Sequence, residues 1–432
     1  MIATLLFTAF VVFMFLGVPI GAALGLAGAA AIALANQDAQ WFGLLAVPQN
    51  FYAGLGKYPL LAIPMFVLVG SIFDRSGVAL RLVNFAVAIV GRGPGMLPLV
   101  AISVAMFMGG ISGSGPATAA AVGGVMIAAM SRAGYPAAFS ASVVAAASST
   151  DILIPPSIAF IVYSVLVSGA SVPALFAAGM FPGVLAGLAL IIPAVWLSRR
   201  HRMGQNESSE PRPPFWRSLR EASWGLLAPV VILGGMRMGW FTPTEAAVVA
   251  VFYGLFVGMV VHRTIGLRDL YEILREAGEL SAVILIVVSL AGIFAFSLST
   301  LGVIDPVTNA IVHSGLGEWG VMGCILVLLL IMGMFLDGIS IMLIFVPLMM
   351  PILRHYQWDV VWFGTILVLC IAIGQFTPPM AVNLMVSSKI AQVRMESTTR
   401  WVLWMVLAMT LATLLVVAFP QISLWLPAKL GY

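Results

Sequence analysis

Residues 148–157 read Ser-Ser-Thr-Asp-Ile-Leu-Ile-Pro-Pro-Ser, and residues 374–383 read Gly-Gln-Phe-Thr-Pro-Pro-Met-Ala-Val-Asn. Each stretch interrupts a long apolar run. Proline lacks the N–H and its ring clashes with the preceding turn, so two in succession open a helix and free its carbonyls. Two such breaks, about 223 residues apart in a chain of 432, suggest that one structure is written twice.

The surrounding sequence agrees. Gly115 recurs as Gly338, and Val125-Met126-Ile127 as Leu348-Met349-Met350. Leu68-Val69-Gly70 recurs as Leu290-Ala291-Gly292. Val18-Pro19 with Ala22-Ala23 recurs as Thr242-Pro243 with Ala246-Ala247. Between the halves lies the one long hydrophilic stretch, 198–221, whose Pro, Ser, Arg and Glu content marks a solvated linker. Residues 1–197 form the first repeat and 222–432 the second.

Composition sets the solvent. Hydrophobic residues make up 62% and charged residues 8%, far from the roughly one quarter charged of soluble domains. The mean hydropathy is +1.11. A membrane-spanning helix needs about 20 apolar residues, and continuous runs of that length recur throughout, so ten or so crossings fit. The alternating ten-residue segments of a membrane β-barrel are absent. The fold class is therefore an all-α polytopic membrane protein of two repeats. The net charge of +4 does not imply nucleic acid, because the basic residues sit in short loops between apolar runs. Cys324 and Cys370 both lie inside apolar runs and imply neither a disulfide nor a metal site. The first apolar run lacks a basic leader and reads as a retained membrane segment.

Each half follows one order of parts. Two scaffold helices (2–17 and 19–35; 223–239 and 243–262) precede a third crossing (60–75; 281–299). A hairpin with a glycine-rich or acidic tip follows (94–131; 318–353), then a helix broken at Pro-Pro (136–166; 360–389) and a closing helix (174–198; 401–426). If the hairpins enter and return, each half makes about five crossings. That odd number inverts the second half. With the 198–221 linker in the cytoplasm, all of the 20 Lys and Arg residues except Lys57, Arg237, Arg354 and Lys429 fall inside, Arg92 among them. Both termini are then outside. The stretch 264–280 reads as an amphipathic interfacial arm, with Leu267, Leu270, Tyr271 and Leu274 on one face. Glu245 after Thr242-Pro243-Thr244 reads as a helix cap, and Asp74 with Arg75 as an interfacial pair.

Irregular backbone at membrane depth persists only against protein or a water-filled cavity. Four such places stand in two related pairs: the tips 109–116 and 337–340, and the two breaks. Freed carbonyls with Ser, Thr and Asp oxygens suit a hard cation such as Na⁺. Candidate cation ligands are Ser112, Ser149, Thr150, Asp151 and Pro155 at the first break, and Asp337, Gly338, Gly374, Thr377 and Pro378 at the second. Helix N-termini suit an anion. No Lys or Arg lies in the tips or breaks, so a carboxylate substrate would rest on backbone N–H groups, hydroxyls and bound Na⁺. Ser112, Gly113, Ser114, Ser157, Ser340, Thr377 and Asn383 are the candidate substrate residues. Paired broken segments in corresponding positions point to a secondary transporter's site.

Other classes fare worse. Gly110-Ile111-Ser112-Gly113 fits the G-x-S-G of intramembrane serine proteases, but His201, His262, His313 and His355 all lie outside the apolar runs, leaving the serine without a base. Neither an H-E-x-x-H zinc motif nor a phosphate-binding G-x-x-x-x-G-K-[ST] loop is present. A passive channel would want a continuous polar stripe, and there is none.

In its motifs the chain resembles the large membrane subunit of tripartite ATP-independent periplasmic (TRAP) transporters. The resemblance covers essentially the whole chain. It rests on Gly17-Val18-Pro19-Ile20, Ile63-Pro64-Met65-Phe66, Gly110-Ile111-Ser112-Gly113-Ser114, Ile154-Pro155-Pro156-Ser157, Phe241-Thr242-Pro243-Thr244-Glu245-Ala246 and Thr377-Pro378-Pro379. It implies a bacterial inner-membrane, Na⁺-driven importer of organic acids, in which an elevator core moves against a fixed scaffold. It also implies two partners, a small four-helix membrane subunit and a soluble periplasmic substrate-binding protein. A related architecture belongs to binding-protein-independent divalent-anion/Na⁺ symporters, which is the second reading. One departure stands out: Asp151 occupies a position where the family would carry glycine. Asp337 is accordingly expected to matter more to the ion than Asp151.

Overall fold

The computed structural model describes residues 2–35, 40–91, 93–206, 212–313 and 315–432. Arg92 and linker residues 207–211 lie outside the described residues. Among those described, every regular element is helical, as an apolar chain in lipid requires if each backbone polar group is to find a partner within its own segment.

The first half runs α1 (Ile2–Phe15), α2 (Ile20–Ala35), α3 (Gln40–Leu55), a 3₁₀ turn (Tyr58–Leu61) into α4 (Ala62–Arg75), and α5 (Val78–Val90). The first hairpin is α6 (Met96–Ser112) and α7 (Gly115–Arg132). The first broken helix is α8 (Ala137–Ser149), a 3₁₀ turn (Thr150–Ile152) and α9 (Ile158–Leu166), followed by α10 (Val172–Arg200). The second half runs α11 (Phe215–Arg237), α12 (Pro243–Leu255) with a π-helical turn (Phe256–Val261), α13 (Leu267–Thr300) and α14 (Ile304–Val312). Then come the second hairpin, α15 (Gly317–Gly333) and α16 (Gly338–His355), and the second broken helix, α17 (Val360–Gly374) and α18 (Val382–Ala391). The chain closes with α19 (Thr399–Ala418) and α20 (Gln421–Leu430). Both Pro155-Pro156 and Pro378-Pro379 are cis.

The expected hairpins and broken helices fall within a few residues of these bounds. Residues 2–35 are two helices, not one. Gly17 takes φ +81° and the Val18 amide returns to the Phe13 carbonyl at 3.1 Å, a left-handed cap that ends α1 before Pro19. The Thr242–Glu245 cap is also as read: Thr242 N donates to Glu245 Oε2 at 2.8 Å, and Glu245 N to Thr242 Oγ1 at 3.3 Å. Two readings are corrected. The arm at 264–280 is not separate from the next crossing but continuous with it in the 34-residue α13, because no proline interrupts 267–300. Arg75 does not pair with Asp74. It binds Glu272 at 2.8 Å and Glu276 at 2.6 Å on α13, since neighbours in a helix point about 100° apart.

The helices pack as two groups. In one, α13 lies against α2, α3 and α4, α12 against α4, and α11 against α5. Gly21, Gly25 and Gly28 on one face of α2 meet Val287, Leu290 and Phe294 of α13, and Ser297 Oγ donates to the Gly28 carbonyl at 3.0 Å. Small residues at this spacing let two membrane helices approach closely without hydrophobic drive between them. The other group holds the two hairpins, the two broken helices, and α10 against α19 and α20. Among the described residues, six helices are long and apolar enough to cross a membrane unaided, α10, α13 and α16 included. The half-helices of the breaks are shorter.

Candidate functional site

The second halves of the broken helices change places. α9 leaves the first break and packs on α16 and α17, while α18 leaves the second break and packs on α7 and α8. Each break thus joins its own hairpin to the other one, which brings the two tips and two breaks into one region.

At the first tip Ser112 ends α6 and Ser114 is the N-cap of α7. Gly113 between them takes φ +61°, and a Cβ there would strike the Pro156 carbonyl oxygen at 2.5 Å. Only glycine suits both the backbone and the space. Asp151, fully buried in the 3₁₀ turn after α8, reaches this tip. Its Oδ2 accepts from Ser112 Oγ at 2.7 Å and from Thr118 Oγ1 at 2.5 Å. Its Oδ1 is buried with no hydrogen-bond partner among the described residues and lies where it would meet a Cβ on Gly109 at 3.0 Å.

Ser149 and Thr150 turn their hydroxyls back on the Ala146 and Ala147 carbonyls, each at 2.7 Å. Ser157 caps α9 and donates to the Ile152 carbonyl at 2.5 Å. Pro155 stands in the break between them. The open acceptor of this region is therefore the Asp151 carboxylate rather than a ring of serines. A second acid is near. Gly70 of α4 faces Ser112 with a would-be Cβ contact of 3.4 Å, and Asp74 follows one turn later on that face. Asp74 Oδ1 is also buried without a partner, and the two carboxylates lie within electrostatic range of each other. Arg75, the adjacent cation, is held by Glu272 and Glu276. Two neighbouring buried acids, whose nearest cation is already paired with other carboxylates, favour a bound cation.

The second break divides its residues. Gly374 sits on Gly333, so that a Cβ would fall 2.5 Å from the Gly333 carbonyl oxygen, and the Met380 amide donates to the Met334 carbonyl at 3.2 Å. Thr377 Oγ1 donates within its own turn to the Ile373 carbonyl at 2.6 Å, just before Pro378. Asn383 goes elsewhere. Its amide donates to the Gln375 carbonyl at 2.9 Å, its Nδ2 to Gln375 Oε1 at 3.2 Å, and its buried Oδ1 has no partner. A Cβ on Gly115, at the start of α7, would run into these same two side chains. Asn383 and Gln375 therefore stand at the first tip, with Ser114 and Gly115.

Asp337 is exposed at the second tip. It caps α16, accepting from the Ile339 and Ser340 amides, both at 3.1 Å, and from Ser340 Oγ at 2.5 Å. Gly338 packs on Ile371. The order expected of the two acids is thus reversed in burial: Asp151 is enclosed and Asp337 open. Ser340 and Asp337 are bonded to one another and not to the first-tip cluster. Thr118 and Gln375 belong to the site region without a role assigned from sequence, and Asp74 joins it although sequence pairs it with Arg75. The available signal for Thr118 was a hydroxyl one turn after Gly115 on a face of small residues.

Comparison with known proteins settles the family. The sequence matches the family described as "Tripartite ATP-independent periplasmic transporter, DctM component" over residues 7–422. This chain belongs to that family. It is 37% identical over 408 residues to the C4-dicarboxylate TRAP transporter large permease protein DctM of Pseudomonas aeruginosa, covering 94% of each chain. It is also 37% identical over 414 residues to the isethionate TRAP transporter permease protein DctMQ of Oleidesulfovibrio alaskensis, covering 96% of this chain but only 64% of that longer one. In fold it is similar to the YdaH transporter of Alcanivorax borkumensis, at a TM-score of 0.62 and 12% identity, over 90% of this chain and 91% of that chain. This DctM-family chain is a multi-pass protein of the bacterial inner membrane.

Proposed function

We propose that this chain imports an organic anion, most simply a carboxylate, in symport with Na⁺, receiving it from a periplasmic substrate-binding protein and working beside a small four-helix membrane subunit. Family membership supports the transport role. Two relatives named for isethionate and for C4-dicarboxylates both handle small organic anions.

The observation that carries the reading is the exchange of α9 and α18 between the hairpins. It sets backbone amides at helix N-termini beside acceptor oxygens that nothing fills, Asp151 Oδ1 and Asn383 Oδ1. Amides at the start of α7, with Ser114 and the Asn383–Gln375 pair, suit the substrate anion. The unfilled oxygens suit Na⁺, a hard cation taken up as cargo. The remaining candidate ligands, at Gly374, Thr377 and Pro378, offer backbone oxygens around the second break. In this reading the hairpins and broken helices are the moving core of an elevator. The α1–α5 and α11–α13 group is its scaffold, and α14 packs on the second hairpin.

Uptake of labelled dicarboxylate into proteoliposomes tests it. Both membrane subunits would be reconstituted, with and without a Na⁺ gradient and with and without the binding protein. Uptake should require both. Na⁺-driven uptake without the binding protein would instead favour the divalent-anion symporter reading, and gradient-independent flux a channel.

A further inference from the structure

Away from the transport site, α5, α11 and the end of α12 enclose a cavity of about 720 Å³. Arg81 and Asn84 line it from α5, Arg217, Arg220 and Trp224 from α11, and His262 from beyond the π-helical turn. The three guanidinium groups face one carboxylate in the lining, Glu221, which pairs with Arg217 at 2.9 Å. Arg81 donates to the Gly77 carbonyl at 2.9 Å and has donors to spare. Arg220 is exposed, and its guanidinium makes no hydrogen bond or ion pair among the described residues.

Nearby Arg212 shows what a structurally committed arginine looks like here. It binds the Ala88 and Ile89 carbonyls at the end of α5, closing a helix terminus. Arg220 has no such commitment among the described residues, and Arg81 and Arg217 are each held by a single local partner. His262 is held in the wall: Nδ1 donates to the Ser76 carbonyl at 2.9 Å, and Nε2 is buried away from the cavity. Burial holds this imidazole below its ordinary pKa despite the Ser76 contact, with the Arg81 charge acting in the same sense.

We infer that this cavity is a binding site for a phosphate-bearing anion, and specifically for the headgroup of an anionic phospholipid. The phosphate would sit among Arg81, Arg217 and Arg220, whose forked donors match its oxygens. Leu80, Val261 and Trp224 supply an apolar rim that a free phosphate does not need but a glycerol backbone and acyl chains do. Basic pockets between membrane helices on the cytoplasmic side are where anionic headgroups bind, and these arginines fall on that side when the 198–221 linker does.

Full-length protein purified in detergent would be titrated with dioctanoyl-phosphatidylglycerol, dioctanoyl-phosphatidylcholine and inorganic phosphate, with binding followed by native mass spectrometry and calorimetry. Phosphatidylglycerol should bind saturably, and about tenfold more tightly than phosphatidylcholine. Arg220→Gln, which removes no intramolecular bond, should weaken it about fivefold at an unchanged melting temperature; adding Arg81→Gln should weaken it further. Arg268→Gln, exposed on α13 away from the cavity, should have no effect. Inorganic phosphate that binds as tightly and depends on the same arginines would overturn the lipid assignment in favour of a soluble phosphate. Equal binding of the two lipids, loss with Arg268→Gln, or no loss with Arg220→Gln would overturn the site.

Discussion

Ser112 Oγ donates to Asp151 Oδ2 across 2.7 Å, tying the tip of the first hairpin to the turn that opens the first broken helix. With Thr118 on the same oxygen, the Ser112 hydroxyl of the tip is engaged by a side chain of the chain itself. Ser112 is therefore committed to Asp151 and is not a free donor for substrate.

Asp151→Asn keeps the shape and removes the charge. If its unfilled Oδ1 balances Na⁺, the half-saturating Na⁺ concentration for uptake should rise by about 10–1000-fold, since each 1.4 kcal/mol is tenfold and a lost charge–ion contact is worth a few. Thr118→Val should instead act through stability. It deletes a hydrogen bond to a charged group, worth about 1.5–3 kcal/mol, and should lower the melting temperature with a smaller shift in the Na⁺ curve. Uptake against Na⁺, normalised to folded protein by size exclusion, separates the two. An unchanged Na⁺ curve for Asp151→Asn would remove this acid from the ion site.

Asp337 makes the contrasting case. As an exposed cap of α16 it is replaced well by asparagine and badly by alanine. Asp337→Asn should leave both stability and the Na⁺ curve near wild type. Asp337→Ala should cost about 0.5–2 kcal/mol in thermal or denaturant unfolding. A steep rise in the Na⁺ requirement of Asp337→Asn would return this carboxylate to the ion.

Much of this was legible in the residues, for identifiable reasons. Pro155-Pro156, Pro378-Pro379 and the glycines of the tips act on the backbone locally, so the hairpins and breaks could be placed from sequence. The short helices α3, α5 and α14 do not stand out in the apolar pattern, although α3 and α14 correspond across the repeat to the start of α13 and to α5 respectively. None of the three is long enough to announce a crossing. The roles of Asp74, Asp151 and Asp337 depend on which helix packs beside each, and that is a tertiary fact. Sequence adjacency suggested Asp74 with Arg75, whereas the helix directs Arg75 to α13. Asn383 shows the same limit. It follows the second break in sequence and serves the first tip in space.

Topology has a direct test. Cys324 is exposed and must first be replaced, while Cys370 is buried. Single cysteines at 200–206 should then react with a membrane-impermeant maleimide only from the cytoplasmic side, and cysteines at 305–313 only from the periplasmic side. Labelling of both stretches from one side would remove the inversion between the repeats.

The elevator reading makes a mechanical prediction at the contact of Gly110 with Pro229. Gly110 lies on α6 of the proposed core and Pro229 on α11 of the proposed scaffold, and a Cβ on Gly110 would stand 3.3 Å from Pro229 Cβ. A disulfide wants roughly 3.5–4.5 Å between Cβ atoms, so a small adjustment suffices. The tighter contact, 3.0 Å to Pro229 Cγ, disappears when the proline ring is replaced. Cysteine at 229 also restores a backbone donor inside α11. Gly110→Cys with Pro229→Cys, in a background lacking Cys324 and Cys370, should cross-link under mild oxidation. If the core must slide past the scaffold in each cycle, the oxidised protein should bind Na⁺ yet stop net uptake, and a reductant should restore uptake to the level of the single variants. Rigid-body sliding tolerates no covalent tie across the moving face, so the loss should be nearly complete in the cross-linked fraction. A cross-linked protein that transports at the rate of its reduced form would mean that α6 and α11 travel together, and the division into core and scaffold would have to be drawn elsewhere.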